Sequence, residues 1–477
     1  MDKEKLLYGL IKHVADRENA KYASETAPVI RYTDPIILRG ADREKYIVGF
    51  GSEDIVPDNI DNHTYWMAGY NIGKKINGIL DRPTVNAMWL GCGEKEGLLF
   101  LSCDLIGMTG ADIRRLRRQL EPFCKKTGCR NITVSCTHTH AGIDTMGYWG
   151  PLPKTGKDAP YMRFLFEKIE EAVKNAYADR KEGKLFYGCI DAPELLDRWR
   201  QPYYSKALLH RLRFVPDDGS TETWYLNFPA HPNTLGGRNK LLSADYPCYM
   251  RREINRHKNV NVMYAISAIG ATDIGKVSES DMERTILGGA KLGQKALEIN
   301  DERQLKADVK LITRYFVMPI DNIVLSLAHS FGIFSARRCK ADSQTGSGFI
   351  SEISYLNFDG VQILTMPGEM FPELVWAGGY CDKETSATGE GAEIDPTPLS
   401  EIFNDDRLMI FGVTNDMAGY ALAPNDFVLH DKMPFINRGT DRFGRNHYHE
   451  TNSCGIKTGE IISGVCKEIR ETLDGKR

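Results

Sequence analysis

The 477-residue chain, 42% hydrophobic and 26% charged, has ordinary globular composition and is long enough for a sizeable core. Its formal net charge of -3 excludes the basic field that nucleic acid or an anionic membrane calls for, so a small molecule is the expected partner. No run approaches the ~18–20 apolar residues of a membrane-spanning helix, and the eleven scattered cysteines, with no CxxC pair, point to a reduced, cytoplasmic protein.

In chain order, residues 1–23 are charged and helical in pattern, without the unbroken apolar stretch of a secretory signal. Leu98 to Met108 reads as a buried strand, 110–126 as an amphipathic helix, Asn131 to Thr137 as a strand and 160–178 as a helix. Strands follow at 184–190, 207–215, 222–229 and Asn261 to Ala268, then a helix at 281–299. Asp359-Gly360, between two apolar runs, is a hairpin signal. Residues 383–399 read as a polar surface loop, and 454–474 as a closing helix. There is no internal repeat and no low-complexity linker. The expectation is one large mixed-sheet α/β domain with flanking helices over residues 1–477. No heptad or interface stripe fixes an oligomeric state.

Four segments carry chemistry-bearing residues. Ser135 to Gly142 (SCTHTHAG) delivers His138 and His140 to a strand end, and an i, i+2 spacing puts both side chains on one face. Imidazole both ligates zinc and titrates near neutral pH. Asn227 to Asn233 (NFPAHPN) places His231 where a strand becomes a loop, a favoured position for functional residues. Leu364 to Glu369 (LTMPGE) leads into a helical pattern at Met370 to Gly378, and Phe411 to Pro424 (FGVTNDMAGYALAP) carries Tyr420 in a turn. Taken singly, each has a plain structural explanation. HxH pairs on strands are often structural, a turn histidine satisfies backbone groups, a glutamate in a first helical turn complements the helix dipole, and a tyrosine packs.

As a set, in this order, the segments resemble the neutral (non-lysosomal) ceramidase family. Its catalytic domain carries a THTHSG segment, an AVHP-type segment, a GGE-type segment and a tyrosine in an NxYxxY turn. Val48 to Gly51 with Glu53-Asp54-Ile55 is similar to that family's opening VGxGxxDIT pattern, so the resemblance spans roughly residues 45–455. It implies a ceramidase-catalytic-domain-like fold without the family's C-terminal immunoglobulin-like domain. It implies zinc held by His138, His231, Glu369 and Tyr420, with His140 beside the metal as proton shuttle or donor to the substrate. Asp273 is expected in a substrate-positioning or metal-supporting role. The implied chemistry is attack on an amide carbonyl, or in second place an ester, by zinc-bound water whose pKa falls toward ~7.

The chain also departs from the family. HTHSGPGG becomes His138-Thr139-His140-Ala141-Gly142-Ile143-Asp144, which loses the serine and brings Asp144 to the site. The family's NxGDVSP becomes Gly270-Ala271-Thr272-Asp273-Ile274-Gly275, which puts glycine where the active-site serine stands. A mechanism that needs that serine fails here, whereas a zinc-water mechanism survives. Arg198 and Arg200 fall near the family's pocket arginine, and the arginine- and histidine-rich segment 436–451 includes Arg438 and His449. At the mouth of the site these residues suit a small polar, anionic substrate better than two lipid chains. The competing expectations are a catalytically silent metal- or ligand-binding homologue and, last, a metal-assisted phosphoesterase.

Overall fold

The computed structural model describes residues 3–21, 34–40, 43–200, 204, 206–377, 383–384, 386–389 and 393–476. Strand-forming runs buried on both faces dominate the sequence, and they assemble into two large sheets. The larger has nine strands, eight of them in the order Val260–Ile266, Glu222–Phe228, Leu208–Pro216, Lys181–Asp191, Tyr46–Asp54, Thr84–Gly91, Gly97–Cys103 and Cys129–Cys136. The outermost pair at each end of this order is parallel and the pairs between are antiparallel. The smaller has six strands, five in the order Ile36–Arg39, Asp308–Pro319, Ser347–Phe358, Val361–Thr365 and Met409–Phe411.

Strand periodicity explains how the sheets stack. Every residue of Gly97–Cys103 is buried, because its alternating side chains enter two different cores. Leu98 and Phe100 join Met88, Leu212 and Phe214 against Leu356, Phe358, Ile363 and Phe411 of the smaller sheet, forming the core between the sheets. Leu99, Leu101 and Cys103 face the opposite way, onto Ile113, Leu116, Leu165 and Ile169 of two covering helices, Gly110–Gln119 and Ala159–Ala178. The outer face of the smaller sheet is covered by Thr458–Leu473, whose Ile462, Cys466 and Ile469 pack on Ile312, Ile353 and Leu364. The result is a four-layer α/β/β/α stack, the mixed-sheet α/β class with flanking helices that the sequence pattern implies.

Two local expectations change. Residues 110–126 form two helices, Gly110–Gln119 and Glu121–Thr127, that part at Leu120. Pro122 cannot donate the backbone bond a continuous helix needs there, but it suits a first helical turn. The helical pattern after Glu369 shortens to Pro372–Trp376, and its expected end at Gly378 lies outside the described residues, as do residues 385 and 390–392 of the polar loop. The Asp359-Gly360 hairpin forms, with both residues at positive φ (48° and 90°), the geometry of a tight two-residue turn. Among the described residues no helix is long and apolar enough to cross a membrane.

A buried carboxylate pins the layers together. Asp416 accepts from the backbone N–H of Gly110 at 2.7 Å and of Met417 at 2.9 Å, and from Ser351 Oγ of the smaller sheet at 2.9 Å. Burial pushes its carboxyl up to about 6 despite these bonds. The folded protein therefore holds a proton there that the unfolded chain releases near pH 4. Stability from this group is full below that point and lost as pH rises through about 6, by on the order of 3 kcal/mol at neutrality. Asp416→Asn keeps the size and most acceptors without the charge. Urea midpoints measured from pH 4 to 7 are expected to converge on or fall below those of this variant as pH rises. A constant difference across the range would remove Asp416 as the source.

Candidate metal centre

The strand Cys129–Cys136 ends two residues before His138. The chain then turns: His138 N donates to Leu105 O at 2.8 Å, and His138 itself adopts a φ of 66°, in the left-handed region that non-glycine residues rarely occupy. A strained turn, rather than the alternation of an extended strand, therefore brings His138 and His140 together, with ring centroids 4.9 Å apart. The third histidine comes from the strand Glu222–Phe228. His231 N donates to Thr272 O at 3.0 Å, while His140 N donates to Pro232 O at 2.9 Å, which ties the two histidine loops together.

Glu369 stands in a short strand, Glu369–Met370, paired in parallel with Tyr420–Ala421, and the direct register partners are Glu369 and Tyr420. A helix-dipole role for this glutamate is thereby replaced by a strand position facing the histidines. The preceding glycine is required. A Cβ at Gly368 would sit 2.3 Å from Gly419 O, so no other residue allows the two segments to close.

The side chains converge on one oxygen. His231 Nε2 lies 2.8 Å and His138 Nε2 3.3 Å from Glu369 Oε2. His138 Nδ1 is 2.5 Å from Ile106 O and His231 Nδ1 3.3 Å from Thr272 O. A carbonyl only accepts, so each Nδ1 carries a proton and each Nε2 is the atom turned toward the carboxylate. Those Nε2 atoms either donate to the carboxylate as imidazolium or, deprotonated, share a cation with it. His138 Nε2 and both nitrogens of His140 are buried without a hydrogen-bond partner. The ligating nitrogens of His138, His140 and His231 all lie within 4.8 Å of one another. The donor set fits a divalent, nitrogen- and oxygen-preferring ion.

The electrostatics follow from burial and from this contact. Burial works against the Glu369 charge, yet His138 and His231 together hold its carboxyl well below the usual range. Burial lowers His231, but Glu369 outweighs it and the net shift is upward. Burial, then the neighbouring His138 and His231, drive His140 well below its ordinary value, so it is neutral at pH 7. Burial, then Glu369, push the Tyr420 phenol well above its own.

Around this cluster the expected residues divide. Asp273 is bridged to His231 through the backbone and accepts from Asn233 Nδ2 at 3.0 Å, with Arg284 at 3.7 Å. His449 meets the Tyr420 ring edge-on at 4.6 Å. Arg438, exposed, lies over the ring of Tyr448 at 5.7 Å. The others are engaged elsewhere. Asp144, expected beside the substrate, accepts three backbone N–H groups of its own loop, from Met146 (2.9 Å), Gly147 (2.6 Å) and Trp149 (2.8 Å). Arg198 is bound to Glu373 at 2.6 Å and to Gly270 O. Arg200 is buried on Asp426 (2.5 Å) and Glu450 (2.6 Å), and also contacts His447 and His449. These two guanidiniums are neutralised by the protein's own carboxylates. Gly275, at the family's serine position, donates to Leu195 O at 2.9 Å and backs onto the turn Pro193–Leu195.

The sequence reading missed the hairpin that covers the site. Trp66 and Lys75 are bridged, Met67 bridges Ile143, and the Tyr70 ring stands edge-on to His140 at 5.1 Å. Gly69, at a φ of 106°, would place a Cβ 2.5 Å from His140 Cβ, so only glycine lets the hairpin lie this close. Its remoteness in sequence from the histidines left no local signal of this contact.

This architecture is that of the neutral ceramidases: the chain has a neutral ceramidase-like fold. A solved ceramidase complexed with C2 superposes with a TM-score of 0.68 at 14% identity, over 91% of this chain and 76% of that one. The neutral ceramidase from Pseudomonas aeruginosa gives 0.66 at 16% identity, over 90% and 75%. At such identities the likeness is one of fold. No protein-family model matches the sequence, and no curated protein does.

Arg200→Met is expected to leave Asp426 and Glu450 buried without their shared guanidinium, with only Arg445 at 3.9 Å and His447 at 2.8 Å beside them, and to cost about 3–5 kcal/mol in chemical denaturation. A variant as stable as the wild type would mean that this guanidinium is idle in the fold and open to a ligand.

Proposed function

We propose that this chain is a zinc-dependent hydrolase of a C–N amide bond in a small polar substrate. The observation that carries the reading is the convergence of His138 and His231 Nε2 on Glu369 Oε2 in a buried site, with His138 Nε2 and both nitrogens of the adjacent His140 left without a hydrogen-bond partner. His138, His231 and Glu369 would hold the ion, with Tyr420 beside Glu369 as the fourth group. When bound, the ion supplies Lewis acidity that polarises a carbonyl and acidifies water.

The remaining chemistry belongs to the chain. Neutral His140, with both nitrogens unpartnered, can take a proton from the attacking water at one nitrogen and return it to the departing amide nitrogen. Asp273, steadied by Asn233, would orient the substrate, with His449 and Arg438 acting from the Tyr420 side. The Tyr70 ring, edge-on to His140, would limit water there and so keep the proton for the leaving group. The reaction requires no hydroxyl at Gly275.

Metal content of protein purified without added metal tests the reading. About one zinc per chain is expected in the wild type, with most of it lost in a folded His231→Ala variant. Full metal in that variant would sink the ligand assignment. His140→Ala is expected to keep the metal but to lower amide hydrolysis by about 10²–10⁴-fold. Metal-replete protein inert toward N-acyl amides would favour a silent, ligand-binding homologue instead.

A further inference from the structure

Lys74 is buried, with 8% of its surface exposed, and among the described residues no carboxylate lies within ion-pairing distance of its ammonium. Its Nζ donates one long bond, 3.4 Å, to Gly237 O, a neutral acceptor that it shares with Asn71 Nδ2 at 3.2 Å. Its other neighbour is the ring of Tyr70, 5.5 Å from Nζ to the centroid. Burial, then the like charge of Lys240, pull the ammonium below its usual range. A buried cation is normally matched by a nearby anion. Arg198 and Arg200 follow that rule, and Lys74 does not.

The lysine also sits at the right place. The hairpin at 66–75 and the loop after His231 clasp each other over His140 through Tyr70 Oη to Asn233 O (2.9 Å) and Asn77 N to Lys240 O (2.8 Å). Lys74 lies inside that clasp. From Nζ to the Tyr70 centroid is 5.5 Å, and from there to the His140 centroid 5.1 Å. The separation of Nζ from His140 is at most the sum of these two, a reach that no more than about three extended residues, at ~3.5 Å each, would cover.

We propose that Lys74 anchors a carboxylate of the substrate, which makes the substrate an N-acylated amino acid or short peptide with a free C-terminus. This rests on the amide-hydrolase reading of the histidine site. A single ammonium with one amide donor beside it matches the single charge of a carboxylate, where a phosphate dianion would leave charge uncompensated.

The test compares N-acetylglycine and N-acetyldiglycine with their terminal amides, by ligand-observed NMR titration of the full, metal-loaded chain. The carboxylate forms are expected to bind about tenfold tighter than the amides. Lys74→Met, with Lys74→Gln as the second variant, is expected to bring the ratio to about one, whereas Lys74→Arg retains a preference. Equal binding of the two forms by the wild type, binding of neither, or a preference that survives in both neutral variants overturns the assignment. The same titration on chelated protein separates this proposal from the metal reading. A preference that disappears with the metal places the carboxylate on the ion and overturns the role of Lys74. A preference that persists in protein that never held metal upholds Lys74 while the metal reading fails.

Discussion

Two imidazole nitrogens and a carboxylate oxygen are held against one another in a buried site, and much of this structure serves to keep them there. Left to themselves the groups would separate into water. They stay because their backbones are fixed from behind. Ile106 and Thr272 carbonyls take the Nδ1 protons, Gly368 lets the Glu369 strand close on Gly419, and His138 accepts an unfavourable φ. Each of these fixtures comes from a different strand end or connecting loop. The site therefore exists only when both sheets are in register with one another.

The four-layer stack supplies that register. The larger sheet brings His138 and His231, the segments that follow the smaller sheet bring Glu369 and Tyr420, and the apolar core between the sheets sets their relative height. Asp416 adds a polar pin across the same boundary. Such a site gains precision from being built on strand ends backed by packed layers, since rigid elements hold convergent side chains more closely than loops alone.

Charge is distributed with a clear division of labour. Arg198 and Arg200 lie behind the site and are matched by Glu373, Asp426 and Glu450, so their charge is used in holding segments together. Lys74 and His140 lie under the hairpin at 66–75, and neither has a full complement of partners.

The order of motifs along the chain was enough to indicate a mixed α/β fold of the neutral ceramidase type and to single out His138, His231, Glu369 and Tyr420, because strand periodicity and short motifs are local properties. The resemblance also suggested Asp144, Arg198 and Arg200 for the pocket, and in the structure these three are engaged by backbone amides and by buried carboxylates. Whether a charged side chain faces a ligand or a buried partner depends on residues tens or hundreds of positions away, such as Glu373 for Arg198 and Asp426 for Arg200. Likewise the left-handed turn at His138, the closure at Gly368 and the Tyr70–Lys74 hairpin over His140 arise from long-range packing. The sequence by itself determined which side chains with metal-binding chemistry the chain possesses and the elements that carry them. Only the tertiary structure decided which of them meet, because burial and the pairing of charges are settled between segments that have no contact along the chain.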